Sequence, residues 1–252
     1  MKPKILTWDI ETAPAVGYLW GLFNQNIGIS AIEEPPYTLC WSARWLGKKK
    51  MMFSSVWTDG RVVMLQKIHN LLDEADMVIS FNGMKFDTPT LNAEFLKEEM
   101  HPPAPFAEID LYRTCKGRFR FLSNKLDFVV HFLGDEGKIP NKGMELWKGC
   151  MREDRESCRE MTRYNKQDVV ITEKLYHKLK PWIQPHPNMG IYGGIERQCP
   201  NCGGTHLQVR GKYLTMTTAY RRLQCMECGK WSRVRTHDLD QDKMRNMQVG
   251  IK

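Results

Sequence analysis

Asp9 and Glu11 stand one residue apart in Ile5-Leu6-Thr7-Trp8-Asp9-Ile10-Glu11-Thr12, among apolar and aromatic neighbours that suit a buried strand. Side chains two apart on a strand point to the same face, so both carboxylates are directed to one spot. Two anions that close raise each other's pKa and cost stability unless a cation lies between them. A divalent metal fits, and hard oxygen ligands suit magnesium or manganese. A surface strand carrying two solvated acids is the alternative for this segment alone.

Two later segments bear on that choice. Ser80-Phe81-Asn82-Gly83-Met84-Lys85-Phe86-Asp87-Thr88-Pro89 follows the apolar run Met77-Val78-Ile79 and precedes helical spacing over 91–100. Asp87 thus falls where a loop enters a helix, a favourable place for an anion; read singly, it is a helix N-cap. Tyr164-Asn165-Lys166-Gln167-Asp168 lies inside a long helical pattern, where Tyr164 and Asp168, four apart, share a face.

A second chemistry is written near the C-terminus. Cys199-Pro200-Asn201-Cys202-Gly203 and Cys225-Met226-Glu227-Cys228-Gly229 are two Cys-x-x-Cys turns, each followed by a glycine. Four thiolates in this arrangement suit one structural zinc ion, and a module this small needs its metal to fold. His206 and His237 are off this pattern and are read as surface residues. Cys40, Cys115, Cys150 and Cys158 are scattered and read as buried apolar groups. The whole usage suits a reducing compartment rather than a disulfide framework.

Taken in order, Asp-Ile-Glu-Thr, Asn-Gly-x-x-Phe-Asp-x-Pro and Tyr-x-x-x-Asp resemble the three exonuclease motifs of the DEDD superfamily. The tyrosine four before the last aspartate resembles the DEDDy branch, which includes the proofreading domains of family B DNA polymerases. Lys125-Leu126-Asp127-Phe128-Val129 and the stretch from Trp147 to Tyr164 resemble stand-alone, often phage-encoded, members of this ribonuclease H-like group; the resemblance covers roughly residues 4–183. It implies a metal-dependent 3′–5′ exonuclease acting on single-stranded DNA. In it Asp9, Glu11, Asp87 and Asp168 hold two Mg²⁺ or Mn²⁺ ions, with Asp9 bridging, and Tyr164 orients the attacking water. Asn82 and Phe86 would line the pocket for the terminal nucleotide. An exonuclease of RNA 3′ ends, and a non-catalytic nucleic-acid-binding scaffold on a nuclease fold, are the alternatives. The implied setting is the cytoplasm of a bacterial or phage-infected cell.

The elements that must position these groups follow from patterning. Residues 4–10 read as a first strand; Thr38–Leu46 and Lys50–Trp57 read as two more around a Gly47-Lys48-Lys49 turn. A long loop or partial helix over 13–36 holds Tyr18, Trp20 and Phe23, read mainly as packing residues, with base stacking as the alternative. Helices are expected over 62–72, 91–100, 125–132 and 154–179, and strands over 77–81 and 108–112. The expected fold is α/β: a ribonuclease H-like mixed sheet flanked by helices, with a small C-terminal zinc ribbon. The expected domains are 1–183 for the nuclease, 184–197 for a linker, 198–236 for the zinc ribbon and 237–252 for a loose tail.

The formal charge of +8 is uneven: residues 190–252 carry 11 Lys and Arg against 5 Asp and Glu. Arg221, Arg222, Lys230, Arg233 and Arg235 surround the second knuckle, with Tyr220 and Trp231 among them. Cations beside aromatics are the ingredients for gripping a single strand, and attraction to phosphate follows from the charge. A protein-docking ribbon, with a replication or recombination protein as partner, is the alternative. No apolar run approaches the roughly 20 residues of a membrane span, so no membrane partner is expected.

Overall fold

In the computed structural model, residues 2–24, 26–194, 197–237, 239–246 and 248 are described. The chain divides into two compact units, Lys4–His177 and, together, Met1–Pro3 with Lys178–Lys252.

The first unit is built on β1 (Ile5–Thr12). A small antiparallel ribbon follows, β2 (Val16–Gly17) with β3 (Ile32–Glu34). The chain continues through β4 (Thr38–Trp45), β5 (Met52–Ser55), α1 (Val56–Asp59), α2 (Arg61–Glu74) and β6 (Met77–Ser80). Then come α3 (Asp87–Lys97), β7 (Ala107–Asp110), α4 (Leu111–Arg118), α5 (Leu126–Phe132), α6 (Met144–Met151) and α7 (Arg155–Leu179). The main sheet has the order β5-β4-β1-β6-β7. β4 pairs antiparallel with both β1 and β5, whereas β6 runs parallel to both β1 and β7. This is the mixed α/β sheet that the patterning and the motif resemblance lead one to expect.

Alternation along β1 divides its residues between two faces. Leu6, Trp8 and Ile10 enter a core with Trp41, Met64, Leu65, Ile68, Leu91 and Phe95, so α2 and α3 cover that face. Burying side chains of this size contributes roughly 1.5–3 kcal/mol each. The odd-numbered face, with Asp9 and Glu11, meets α7: Asn165 bonds to Asp9, and Arg44 of β4 pairs with Glu173 at 2.7 Å. Leu146 and Cys150 of α6 and Met161 of α7 pack with Leu39 and Cys40 of β4. All four scattered cysteines are buried free thiols.

Several boundaries differ from expectation for identifiable reasons. The strand expected to run to Trp57 stops at Ser55, whose hydroxyl caps α1 in a reciprocal capping box with Thr58. The strand expected to reach Tyr112 ends at Asp110, whose carboxylate accepts from the Tyr112 N–H at 2.9 Å and starts α4. Tyr18, Trp20 and Phe23 do not pack: they are 71%, 104% and 85% exposed in the connection between β2 and β3. The packing expectation for them is therefore corrected.

The second unit holds an antiparallel three-stranded sheet, β8 (Leu207–Leu214), β9 (Ala219–Cys225) and β10 (Trp231–Arg233), ordered β10-β9-β8. The segment expected as a linker, 184–197, contains a short 3₁₀ turn at Met189–Tyr192, and residues 195 and 196 lie outside the described residues. Of the tail expected over 237–252, Gln241–Arg245 forms α8, and residues 238, 247 and 249–252 lie outside the described residues.

Candidate active site

The end of β1 carries the first two carboxylates. Its pairing with β4 shifts register just after Glu11, where Leu39 of β4 is left without a partner on β1, an irregularity of the kind found beside functional sites. Carboxylate oxygens of Asp9, Glu11 and Asp168 all lie within 4.8 Å of one another. Asp168 arrives from α7, one turn after Tyr164. Between them Asn165, fully buried, donates from Nδ2 to Asp9 Oδ2 at 2.8 Å and so fixes that carboxylate.

Asp87 occupies the first turn of α3, where the helix dipole favours an anion. Its Oδ1 accepts from the Ile10 N–H at 3.1 Å, which ties the helix start to β1 between Asp9 and Glu11. Asp87 is not one of the three residues within 4.8 Å. It is near enough for its charge to raise the pKa values of Asp9 and Glu11. Gly83 is required by close approach, because a Cβ there would stand 2.3 Å from Ser80 Oγ. At the far end of α3, Glu94 accepts from Thr38 Oγ1 at 2.8 Å, pinning the helix to the start of β4.

The sequence reading missed Lys138, in the loop between α5 and α6. Its Nζ donates to Tyr164 Oη at 2.9 Å and forms a short ion pair with Asp168 Oδ2. It also lies 4.9 Å from the centre of the Tyr164 ring. Trp147 of α6 adds a hydrogen bond to Glu11 and an edge contact to Tyr164, with centroids 6.1 Å apart.

Crowding of anions in a desolvated cleft dictates the electrostatics. Burial, followed by the Asp168, Asp87 and Glu11 charges, raises the Asp9 pKa well above the usual carboxylate range. Burial and then Asp168 push Glu11 up to about 8, against the opposing pull of Lys138. Burial pushes Asp87 up to about 7 despite its backbone hydrogen bonds. Tyr164 is raised too, by burial first and Asp168 second, so its phenol keeps its proton. Lys138 is held charged by Asp168 and Asp9, although burial works against it.

This donor set fits divalent cations. The ligating atoms are hard carboxylate oxygens, and their mutual repulsion is what a cation relieves. Asp168 Oδ1 is buried, and among the described residues nothing hydrogen-bonds to it. Lys138 supplies a single positive charge at the same cluster.

A cleft of about 820 Å³ is lined by Asp9, Asn82, Phe86 and Lys138, with Lys85, Lys116 and Lys125. Asn82 has a left-handed backbone at φ 70°, held by its N–H donating to Asp110 Oδ1 at 2.8 Å. Phe86 is a cleft residue close to half exposed rather than core. The additional lysines escaped notice because they belong to separate loops and helices with no shared period.

In the second unit, sulfur atoms of Cys199, Cys202, Cys225 and Cys228 lie within 4.8 Å of one another. The Asn201 and Gly204 N–H groups donate to Cys199 and Cys202 sulfurs at 3.4 and 3.3 Å, stabilising thiolate character. Gly203 and Gly229 take φ of 77° and 75°, as each knuckle turn requires. Four converging sulfurs fit a zinc ribbon's tetrahedral ion. Neither His206 nor His237 belongs to the cluster.

A family model described as RNase_H superfamily matches residues 43–180. No curated protein matches in sequence. Among solved structures, the family B DNA polymerase of the hyperthermophilic archaeon Pyrobaculum calidifontis is similar in fold, with a TM-score of 0.54 at 16% identity. The similarity covers 72% of this chain and only 25% of that polymerase.

Proposed function

The chain belongs to the RNase H superfamily, and we propose that it is a metal-dependent 3′–5′ exonuclease of the DEDDy type acting on single-stranded DNA. The observation that carries this reading is the convergence of Asp9, Glu11 and Asp168 within 4.8 Å, with Asp9 lining a lysine-rich cleft. Asp87 stands beside them at the head of α3.

Asp9, Glu11, Asp87 and Asp168 would hold two magnesium or manganese ions, which when bound supply Lewis acidity to the attacking and leaving oxygens of a phosphodiester. The chain's own residues do the positioning. Asn165 fixes Asp9 through the 2.8 Å amide bond, so the aspartate keeps one orientation. Lys138 donates to Tyr164 Oη, which leaves the phenolic hydrogen free to point at a water or phosphate oxygen. Because Tyr164 is raised above its ordinary pKa, it orients the attacking water and does not deprotonate it. The Lys138 ammonium, held beside the carboxylate cluster, would offer positive charge to a phosphate bound there. Asn82 and Phe86 border the same cleft and suit a terminal nucleotide, one by hydrogen bonding and the other by stacking. Four cleft lysines supply contacts to the adjoining phosphates. Cys199, Cys202, Cys225 and Cys228 would hold one structural zinc.

The test is a panel of labelled DNA and RNA single strands, each blocked in turn at the 5′ or the 3′ end, with magnesium or manganese. The expected result is stepwise loss of nucleotides from an open 3′ end of DNA and protection by a 3′ block. Protection by a 5′ block, internal cutting, or preference for RNA would replace the corresponding part of the proposal.

A further inference from the structure

We propose that one face of the three-stranded sheet in the zinc unit is a binding platform for a single nucleic-acid strand, gripping bases by stacking and phosphates by arginine. This inference rests on the nuclease reading for the identity of the ligand. The register places its components together. Tyr213 pairs with Tyr220 across β8 and β9, and Arg222 pairs with Arg233 across β9 and β10. Residues two apart on one strand share a face, so Tyr220, Arg222 and Gln224 lie in a row on β9, beside Trp231 and Arg233 on β10. Gln208, opposite Gln224, completes the face. These positions carry two arginines, three aromatics and two glutamines, and no carboxylate.

Contacts across the face confirm that these side chains form one layer. The Arg233 guanidinium lies 3.9 Å from the Tyr220 ring centre and 5.9 Å from that of Tyr213. The Arg222 guanidinium lies 4.9 Å from the Trp231 ring centre, and its Nε donates to the Arg210 carbonyl at 2.8 Å. Guanidiniums already positioned over aromatic rings have little freedom left to lose when they fork onto a phosphate. Trp231 and Tyr213 are both close to half exposed, in a setting that an apolar protein surface would leave with two desolvated cations. A phosphate chain neutralises those cations while its bases use the ring faces. The charge complementarity thus selects a polyanion with flat apolar groups. An acidic peptide matches only the charge.

Binding is measured by fluorescence anisotropy of a labelled single strand with the full chain, across a salt series, without added divalent metal and without chelator. The Arg222→Gln/Arg233→Gln variant is expected to lower the slope of log affinity against log salt by roughly 1.4, at about 0.7 per phosphate contact. Trp231→Ala is expected to weaken binding about tenfold with the slope unchanged, because stacking is uncharged, and Trp231→Phe should restore most of it. Lys48→Gln/Lys49→Gln removes the same charge from the exposed turn between β4 and β5 of the first unit and should change the slope less than the arginine pair. Zinc content per chain verifies that each variant is folded; should the arginine pair lose zinc, the comparison of Trp231→Ala with Trp231→Phe decides. Equal slopes for the arginine pair and the lysine pair, or unaltered affinity in Trp231→Ala, would overturn the platform. So would tighter binding of a labelled polyglutamate peptide than of the strand. Hydrolysis of a short strand is followed separately: a wild-type chain that binds but never cuts would overturn the nuclease reading and leave the platform standing.

Discussion

Replacing Lys138 with methionine isolates the electrostatic problem at the centre of the site. The ammonium pairs with Asp168, donates to Tyr164 and offsets the charges of Asp9 and Glu11. Breaking a buried ion pair by removing one partner costs about 3–5 kcal/mol. The Lys138 side chain is 31% exposed against 2% for Asp168, and solvent screening brings the expected loss to about 1–3 kcal/mol. That loss applies to the metal-free protein. A divalent ion at the same carboxylates supplies the missing positive charge, so the difference between wild type and Lys138→Met should shrink when manganese is added. Removing a like charge should also tighten manganese binding, while hydrolysis slows because Tyr164 loses the donor that orients it. Urea unfolding followed by far-ultraviolet circular dichroism reports mainly on the helices of the first unit, and is run with and without manganese. A stability loss identical in both conditions would refute the idea that the ammonium and the metal answer the same charge. No loss in either condition would refute the ion pair's importance.

Divalent ions bind carboxylates, so protons must leave before the ion enters. With Asp87 at about 7 and Glu11 at about 8, manganese affinity should climb with pH. Proton release should be greatest below the lower value and shrink as pH rises through both, and calorimetry in buffers of different ionisation enthalpy measures it. These raised pKa values also mean that the native state holds protons the unfolded chain releases. Metal-free stability should therefore fall as pH rises from the ordinary carboxylate range toward 8; stability constant or rising over that window would contradict the assignment. Tyr164→Phe removes only the hydroxyl and should slow hydrolysis by about one to three orders of magnitude with manganese affinity kept; an unaffected rate returns Tyr164 to a packing role. Cys225→Ser should cost the zinc and the fold of the ribbon while the first unit unfolds at its usual urea concentration; retention of zinc would show that this cysteine is not a ligand.

What was legible in the sequence was local and periodic. Asp9 and Glu11 could be read because strand alternation places i and i+2 together, and Tyr164 with Asp168 because a helix turn does the same. The mixed sheet followed from hairpin-connected strands succeeded by helix–strand alternation. The two Cys-x-x-Cys turns announced their convergence through spacing alone. Lys138 was not legible, because it reaches the cluster from an aperiodic loop and its partners are 26 and 30 residues away. Asn165 was hidden for a different reason: one position off the Tyr164–Asp168 row, it reads as an ordinary helix amide until Asp9 is brought beside it. The exposure of Tyr18, Trp20 and Phe23 defeated the reading because hydrophobicity signals burial only on average. The start of α4 was obscured because Asp110 serves as both strand end and helix cap.

The most direct test of the account is hydrolysis of a 5′-labelled single strand of DNA by wild type, Asp9→Ala and Asp168→Ala, with manganese, alongside binding of the same strand without metal. The account predicts a ladder shortening from the 3′ end for wild type, no ladder for either variant, and binding largely retained in both, since affinity comes from lysines, arginines and aromatics. Hydrolysis undiminished by either substitution, or proceeding without a divalent ion, would contradict it.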